Sequence, residues 1–522
     1  MSPPPHARKG RRMSATERPY SELEYTSGYY HELGPAHLAF CALVAGIDRP
    51  APARPIYLEL GMGQGVSLAA HAAASDGEFW GVDLNPAHVA NARALAEAVS
   101  TPLTLVEGAF ADFAARDDLP LFDVITLHGV WSWVSDASRR SIVEILRDRL
   151  APGGVVYLSY NCQPGWASRG PIRHLMKLGH GASAPGDPEV RVQSALAFAE
   201  EVAAADGRFF AENRPAASHL ASLRKTTPQY LGHEYLNADW HIPWFSDVAE
   251  AMAEADLTFA VSARLLDRVN VLQLPPAGVA LMDREKDPVL RESIRDFLVN
   301  QQFRPDVFAR PAPRLSDAER TARFEAQAFV LVCGLDEIDF QLTGAQGEMV
   351  LPEATYRPIA LALAADGFVA KTGAAVMAAP GVSPLRRTDV IAALINLVGM
   401  GVVRPAQAVP PGARARCEAY NRLVLDRALT GPHLMHLASP VTGGGVLTPR
   451  SAQLFLRAWI DGDRATEAIA RSVWAVFRTT GERAVRKGET LMSEDDNLAA
   501  LGDMARRFLD QTVPLFRALA IV

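Results

Sequence analysis

Between residues 56 and 88 stand a short strand, a turn with three glycines, a helix and a second strand ending in an acid. The segment reads Ile56-Tyr-Leu-Glu-Leu60, then Gly61-Met-Gly63-Gln-Gly65, an alanine-rich run, and Phe79-Trp-Gly-Val-Asp83-Leu-Asn-Pro86. Glycines at alternate positions let the backbone turn tightly and approach a ligand at the carboxyl end of a strand. Asp83 lies 18 residues past Gly65, where a second strand presents a carboxylate to ribose hydroxyls. Two details argue against a dinucleotide. Position 66 is Val, where the G-x-G-x-x-G pattern needs Gly or Ala, and Glu59 stands just before the glycines. A carboxylate there would repel a pyrophosphate and suits a ligand carrying an ammonium or sulfonium.

Strand-like and helical runs alternate around this unit. Strands are predicted at Ile56–Leu60, Glu78–Val82, Leu103–Glu107, Phe122–Leu127 and Gly154–Tyr160, and helices at Ser67–Ala74, Pro86–Ala98 and Ser138–Leu150. The alternation predicts a parallel, doubly wound sheet. Ala151-Pro-Gly-Gly154 reads as a helix stop and tight turn before the fifth strand. An amphipathic helix is expected over Tyr29–Gly46. Residues 170–256 read as helical, with Val192, Leu196, Ala199 and Val202 on one face. Two strand-like pieces, Leu257–Ser262 and Phe303–Arg310, precede a linker-like Pro311-Ala-Pro313. The chain therefore divides into a tail over 1–18, an α/β domain over 19–310 with a helical insertion at about 180–256, a middle domain over 318–410, and a mainly helical domain over 411–522. The middle domain ends helix-then-strand (Asp389–Met400, Val402–Arg404), which allows a winged-helix-like unit; the last helix starts at Asp495.

Bulk properties exclude several classes. The formal net charge is −7, so no global basic field points to nucleic acid or an anionic membrane. The four cysteines, Cys41, Cys162, Cys333 and Cys417, form no C-x-x-C pair and suit a reduced, cytoplasmic setting. The basic, Pro-rich start has no apolar core of a signal peptide, and Val390–Val403 is too short to span a membrane.

Glu59-x-Gly61-x-Gly63-x-Gly65 resembles the first motif of class I S-adenosylmethionine (SAM) methyltransferases. Phe122-Asp-Val-Ile-Thr-Leu-His-Gly-Val-Trp-Ser-Trp-Val134 and Leu158-Ser-Tyr-Asn-Cys-Gln-Pro-Gly-Trp166 are similar to the fourth- and fifth-strand signatures of one subgroup of that family. Tyr230-Leu-Gly-His-Glu-Tyr-Leu-Asn237, Pro243-Trp-Phe-Ser-Asp-Val248 and Arg291–Arg304 resemble its methyltransferase regulatory domain. The subgroup includes the rickettsial lysine methyltransferases of outer membrane protein B. The resemblance implies a Rossmann-like sheet of order 3-2-1-4-5-7-6, closed by two further strands, with the helical insertion above the pocket. It also implies SAM as cofactor.

On this reading Glu59, Gly61, Gly63, Gly65, Asp83 with the adjacent Leu84, Asp112, His128 and Trp131 form the cofactor site. The turn's N–H groups and the next helix terminus would hold the methionyl carboxylate. Asp83 would clamp the ribose, or else cap the helix at Pro86. The resemblance places Asp112 against the adenine amino group. Tyr160, Asn161, His128 and Glu234 are the catalytic candidates. Adjacent strand positions point to opposite faces, so one of Tyr160 and Asn161 is expected to face the transferred methyl. Trp131 and Trp133 are candidate sulfonium walls, with core packing as the alternative. Tyr29 and Tyr30 either fold over the cofactor or pack in the core. His233 and Glu234 form no H-E-x-x-H zinc motif, because position 237 is Asn. The expected reaction is methyl transfer from SAM, with a protein lysine amine as the leading acceptor. A small molecule or polysaccharide is the alternative acceptor, and a SAM-binding scaffold the alternative class. An interaction or homodimerisation role is expected of the C-terminal part, with no nucleic acid or membrane partner.

Overall fold

The computed structural model describes residues 28–49, 52, 54–181, 187–486 and 488–522; the tail expected over 1–18 lies outside them. A seven-stranded sheet is built from β1 (Ile56–Leu60), β2 (Glu78–Asp83), β3 (Thr104–Glu107), β4 (Phe122–Leu127), β5 (Leu150–Asn161), β6 (Thr258–Ser262) and β7 (Phe303–Ala309). Its order is β3-β2-β1-β4-β5-β7-β6, as the resemblance implied, with β7 antiparallel to both neighbours. The central strands β1 and β4 are buried along almost their whole length because helices cover both faces.

The crossovers follow local signals. After α1 (Pro35–Val44) and β1, α2 (Val66–Ala74) begins directly at Gly65. The Asn85 side chain caps α3 (Pro86–Ala98) by accepting from Ala87 N, and Pro86 fits its first turn. A five-residue α4 (Phe110–Ala114) follows β3, and Ser135 caps α5 (Asp136–Arg149). Ala151-Pro-Gly-Gly154 is not a turn ahead of β5. It is an irregularity inside that strand: Phe122 pairs with Leu150 and Val124 with Val155, and Gly153 takes φ +70°. The ladder resumes beyond the glycines, so the pairing starts four residues earlier than the sequence indicated.

The insertion holds α6 (Gly170–Gly181), α7 (Pro188–Ala204), α8 (Arg208–Glu212), α9 (Arg214–Leu223) and α10 (Pro228–Tyr235). These helices close a core of their own around Val192, Leu196, Leu220 and Tyr235. α11 (Phe245–Ala253) then returns to the main sheet, packing Phe245, Val248 and Met252 beneath it.

Beyond β7 the proline segment is tied down rather than free. Asp48 N donates to Pro313 O at 3.1 Å and Leu315 N to Gly46 O at 2.9 Å. β8 (Ala328–Leu331) is flanked by β11 (Lys371–Thr372) and β12 (Val403–Ala406), with β9 (Gln341–Gly344) and β10 (Gly347–Val350) forming a hairpin. Helix Glu353–Ala364, β11, helices Gly373–Ala378 and Arg387–Gly399, and β12 follow in that order along the chain. A second hairpin, β13 (His436–Ser439) and β14 (Gly444–Leu447), lies among the C-terminal helices. One hydrophobic core joins Leu38, Tyr57 and Val155 to Ile359 and Leu397; another joins Ala69 and Ala73 of α2 to Tyr420, Leu437 and Leu519. Among the described residues no helix is long and apolar enough to cross a membrane.

Candidate active site

The glycine turn sits at the carboxyl ends of β1 and β4. Gly61, Gly63 and Gly65 have φ of +73°, +54° and +73°, a left-handed region that favours glycine. A Cβ on Gly61 would lie 2.5 Å from Val130 Cγ2, and one on Gly65 would lie 2.6 Å from Ala92 Cβ. Gly63 is different: nothing stands within 4 Å of where its Cβ would be, so this side of the turn is open. Asp83 organises the turn. Its Oδ2 accepts from Gly63 N at 2.9 Å and its Oδ1 from Asn85 N at 2.8 Å, while His88 Nδ1 lies 3.2 Å from Oδ1. With a single partner, Oδ2 keeps a lone pair for a further hydroxyl donor. His88 was not anticipated.

Glu59 is 4% exposed, and its Oε2 has no hydrogen-bond partner among the described residues. Burial pushes its pKa up to about 8, with the nearby Asp83 carboxylate adding to the rise. A buried carboxyl group with one unpartnered oxygen beside an open glycine turn fits a ligand that is cationic at one end and carries hydroxyls at the other. SAM has both. Leu84 is 50% exposed beside Asp83, and Asp112 is exposed on α4 after β3.

His128 ends β4. Its Nδ1 lies 2.9 Å from Tyr157 Oη and 3.3 Å from Ser159 Oγ, and Ser159 Oγ accepts from Gly129 N at 2.9 Å. Burial, with Arg264 assisting, lowers its pKa to about 4, so the ring is neutral at physiological pH. The Tyr30 ring lies over it, centroids 3.7 Å apart. Tyr29 turns the other way and meets the β13–β14 hairpin. Trp131 packs into the core under the sheet with α5 and α11. Its indole N–H has no partner among the described residues, and it borders a cleft of about 210 Å³ that Asp136, Arg140, His241 and Asp247 also line.

Tyr160 and Asn161 do point to opposite faces. Tyr160 is fully buried, and its hydroxyl donates to Asp306 Oδ2 at 2.7 Å. That carboxylate belongs to a sealed cluster in which Arg304 also pairs with Asp296 at 2.5 Å and Glu292 at 3.0 Å. Tyr160 thus serves packing, away from the pocket where it was expected. Asn161 takes the other side. Its Nδ2 donates to Glu234 Oε2 at 3.0 Å, and its backbone N–H to Ser132 Oγ at 3.0 Å. Glu234 is 7% exposed, and burial pushes its pKa up to about 7 against the lowering by Asn161 and Arg169. Tyr235, the residue after Glu234, belongs to a cluster of aromatic rings. Trp166 meets Trp133 at 6.2 Å, Tyr235 at 6.3 Å and Trp240 at 6.3 Å, centroid to centroid. The Arg169 guanidinium lies 4.5 Å above Trp166. Trp240 lies between the regulatory-domain segments and was not anticipated; the Arg304 cluster draws on the Arg291–Arg304 segment, but its ion pairs were not anticipated.

Comparison with known proteins agrees with this geometry. Residues 58–154 match the model of a methyltransferase domain, and residues 227–310 that of a predicted methyltransferase regulatory domain. The chain is 32% identical over 505 residues to the uncharacterized protein sll1526 of Synechocystis sp., covering 96% of this chain and 98% of that one. It is 29% identical over 294 residues to the uncharacterized protein RP789 of Rickettsia prowazekii, covering 56% and 52%. The fold superposes on PKMT2 from Rickettsia typhi in complex with AdoHcy with a TM-score of 0.68 at 18% identity, spanning 95% of this chain and 99% of that one. Sheet order, glycine turn and full-length relative converge: the chain belongs to the class I SAM-dependent methyltransferases that carry a methyltransferase regulatory domain.

Proposed function

We propose that the protein methylates the side-chain amine of a lysine in a protein acceptor, received at the Asn161–Glu234 pair. The observation that carries this reading is a carboxyl group that is 7% exposed, bonded to the Asn161 amide and followed on its helix by Tyr235, whose ring meets Trp166. Ionised, such a group is costly to bury unless a cation joins it. A lysine ammonium is the matching cation, and Trp133, Trp166 and Tyr235 surround its alkyl stem and head. The fold-level likeness to PKMT2 supports the reading.

SAM, held by the glycine turn, Glu59 and Asp83, supplies the electrophilic methyl. The chain's own groups prepare the amine. A lysine of pKa about 10.4 is neutral in roughly one molecule in a thousand near pH 7.4, a deficit of about 4 kcal/mol. Glu234, poised at about 7, takes the amine's proton on Oε while Asn161 holds the carboxyl in place. Desolvation among the rings lowers the amine's pKa, against the rise that the neighbouring carboxylate causes. Ser132 fixes Asn161 through its backbone, keeping the amide on the pocket side.

The test is incubation of the protein with methyl-labelled SAM and cell extract, followed by size separation and hydrolysis to amino acids. Label recovered as methyl-lysine with the wild type and lost with Glu234→Gln supports the reading. Label confined to small molecules or polysaccharide overturns it.

A further inference from the structure

Helix α2 begins at the glycine turn, and all nine of its residues are buried. In an open α/β sheet the outer face of such a helix ordinarily meets water. Here the helix Ala413–Ala428 and the β13–β14 hairpin cover it, which is why five of its nine residues are alanines. The last carbonyls of a helix lack partners within it. Those at the end of α2 are satisfied from more than 330 residues away: Gln407 Nε2 donates to Ala74 O at 3.1 Å, Arg416 Nη2 to Ser75 O at 2.5 Å and Cys417 Sγ to Ala73 O at 3.5 Å. A guanidinium at this end also complements the helix dipole, whose opposite end faces the glycine turn.

The same hairpin grips a second wall. Gly445 N donates to Tyr29 Oη at 2.6 Å. A Cβ on Gly444 would lie 2.4 Å from that oxygen, and one on Gly445 would lie 2.9 Å from the ring, so the two glycines form a socket that admits Tyr29. The next residue is fastened to α2: Tyr30 N donates to Ser67 Oγ at 3.0 Å, and its carbonyl lies 3.3 Å from His71 Nε2. His71 Nδ1 faces Gly443 O at 3.5 Å, so its imidazole stands between strap and hairpin. The Tyr30 ring then covers His128.

We propose that the C-terminal region positions the SAM pocket without reaching into it. Gln407 and Arg416 set helix α2, and the Gly444–Gly445 socket sets the Tyr29–Tyr30 strap. These are positioning residues, acting on cofactor affinity and not on the acceptor. The inference rests on the cofactor lying at the glycine turn.

The test compares full-length wild type, Tyr29→Phe, Arg416→Met and Arg416→Lys. Binding of S-adenosylhomocysteine is measured by calorimetry, the ligand-free Tm by scanning, and kcat and KM for SAM by turnover. Tyr29→Phe keeps the ring and strands the Gly445 N–H. Tyr29→Phe and Arg416→Met are expected to raise Kd and KM about fivefold or more and to leave kcat at saturating SAM within about twofold, with Arg416→Lys near wild type. A lowered Tm with unchanged Kd in both variants overturns the proposal, because the region then only braces the fold. An unchanged kcat/KM overturns it equally. Asp83→Asn, expected to abolish S-adenosylhomocysteine binding, tests the seat of the cofactor separately; intact binding there refutes the cofactor site on which the inference rests.

Discussion

Glu59→Gln is expected to make the protein more stable and its cofactor binding weaker. Glu59 is buried with one oxygen unpartnered, and its pKa stands at about 8 against an ordinary 4.5. At about 1.4 kcal/mol per unit, that shift of about 3.5 units corresponds to some 5 kcal/mol as an upper bound. Below pH 4.5 the carboxyl is protonated in folded and unfolded chains alike and contributes no difference. Between 4.5 and 8 the unfolded chain ionises while the folded one retains its proton, so stability is lost as pH rises and levels off above 8. Glutamine has no such titration. Urea denaturation at pH 5 and pH 8 should show the stability advantage of Glu59→Gln growing by roughly 3 kcal/mol between the two. The ligand arm is independent. Binding of cationic SAM near pH 7 should release about one proton from the wild type and none from the variant, read by calorimetry in buffers of different ionisation enthalpy. A stability difference identical at both pH values, or equal proton release by both proteins, would refute the reasoning.

Three further outcomes follow from the geometry. Arg304→Met leaves Asp296 and Asp306 buried without their cation and should cost about 3–5 kcal/mol in chemical denaturation. Tyr160→Phe should lower stability by about 1–2 kcal/mol through the lost Asp306 bond and leave kcat within about twofold; a tenfold loss of kcat would return that hydroxyl to the chemistry. Gly65→Ala should depress Tm and S-adenosylhomocysteine affinity together, since its φ of +73° and the Ala92 Cβ at 2.6 Å both resist a side chain. Unchanged affinity in that variant would show that the turn does not carry the ligand.

Local elements were legible wherever the pattern itself was local. β1 and β4 fall at the bounds that the apolar runs indicate, and α3 at those set by Asn85-Pro86. Ala151-Pro-Gly-Gly154 was misread because proline and glycine mark a turn and a strand irregularity alike; pairing with β4 decides between them. The hairpin run Gly443-Gly444-Gly445 held a signal that went unread, since adjacent glycines announce a close approach without naming what approaches.

Residues 56–83 by themselves determined the strand, the left-handed turn, the following helix and the acid, because each depends on backbone preferences within a few positions. The extended run ending at Tyr160 likewise set that Tyr160 and Asn161 diverge, since a strand alternates its faces. Which partner each of the two meets was decided by tertiary structure alone: β7 brought Asp306 to Tyr160, and α10 brought Glu234 to Asn161 across 73 residues. The same holds for the end of α2, capped by groups more than 330 residues distant. The strand and turn preferences act within the chain's own local span, whereas these pairings depend on where the folded backbone carries each partner.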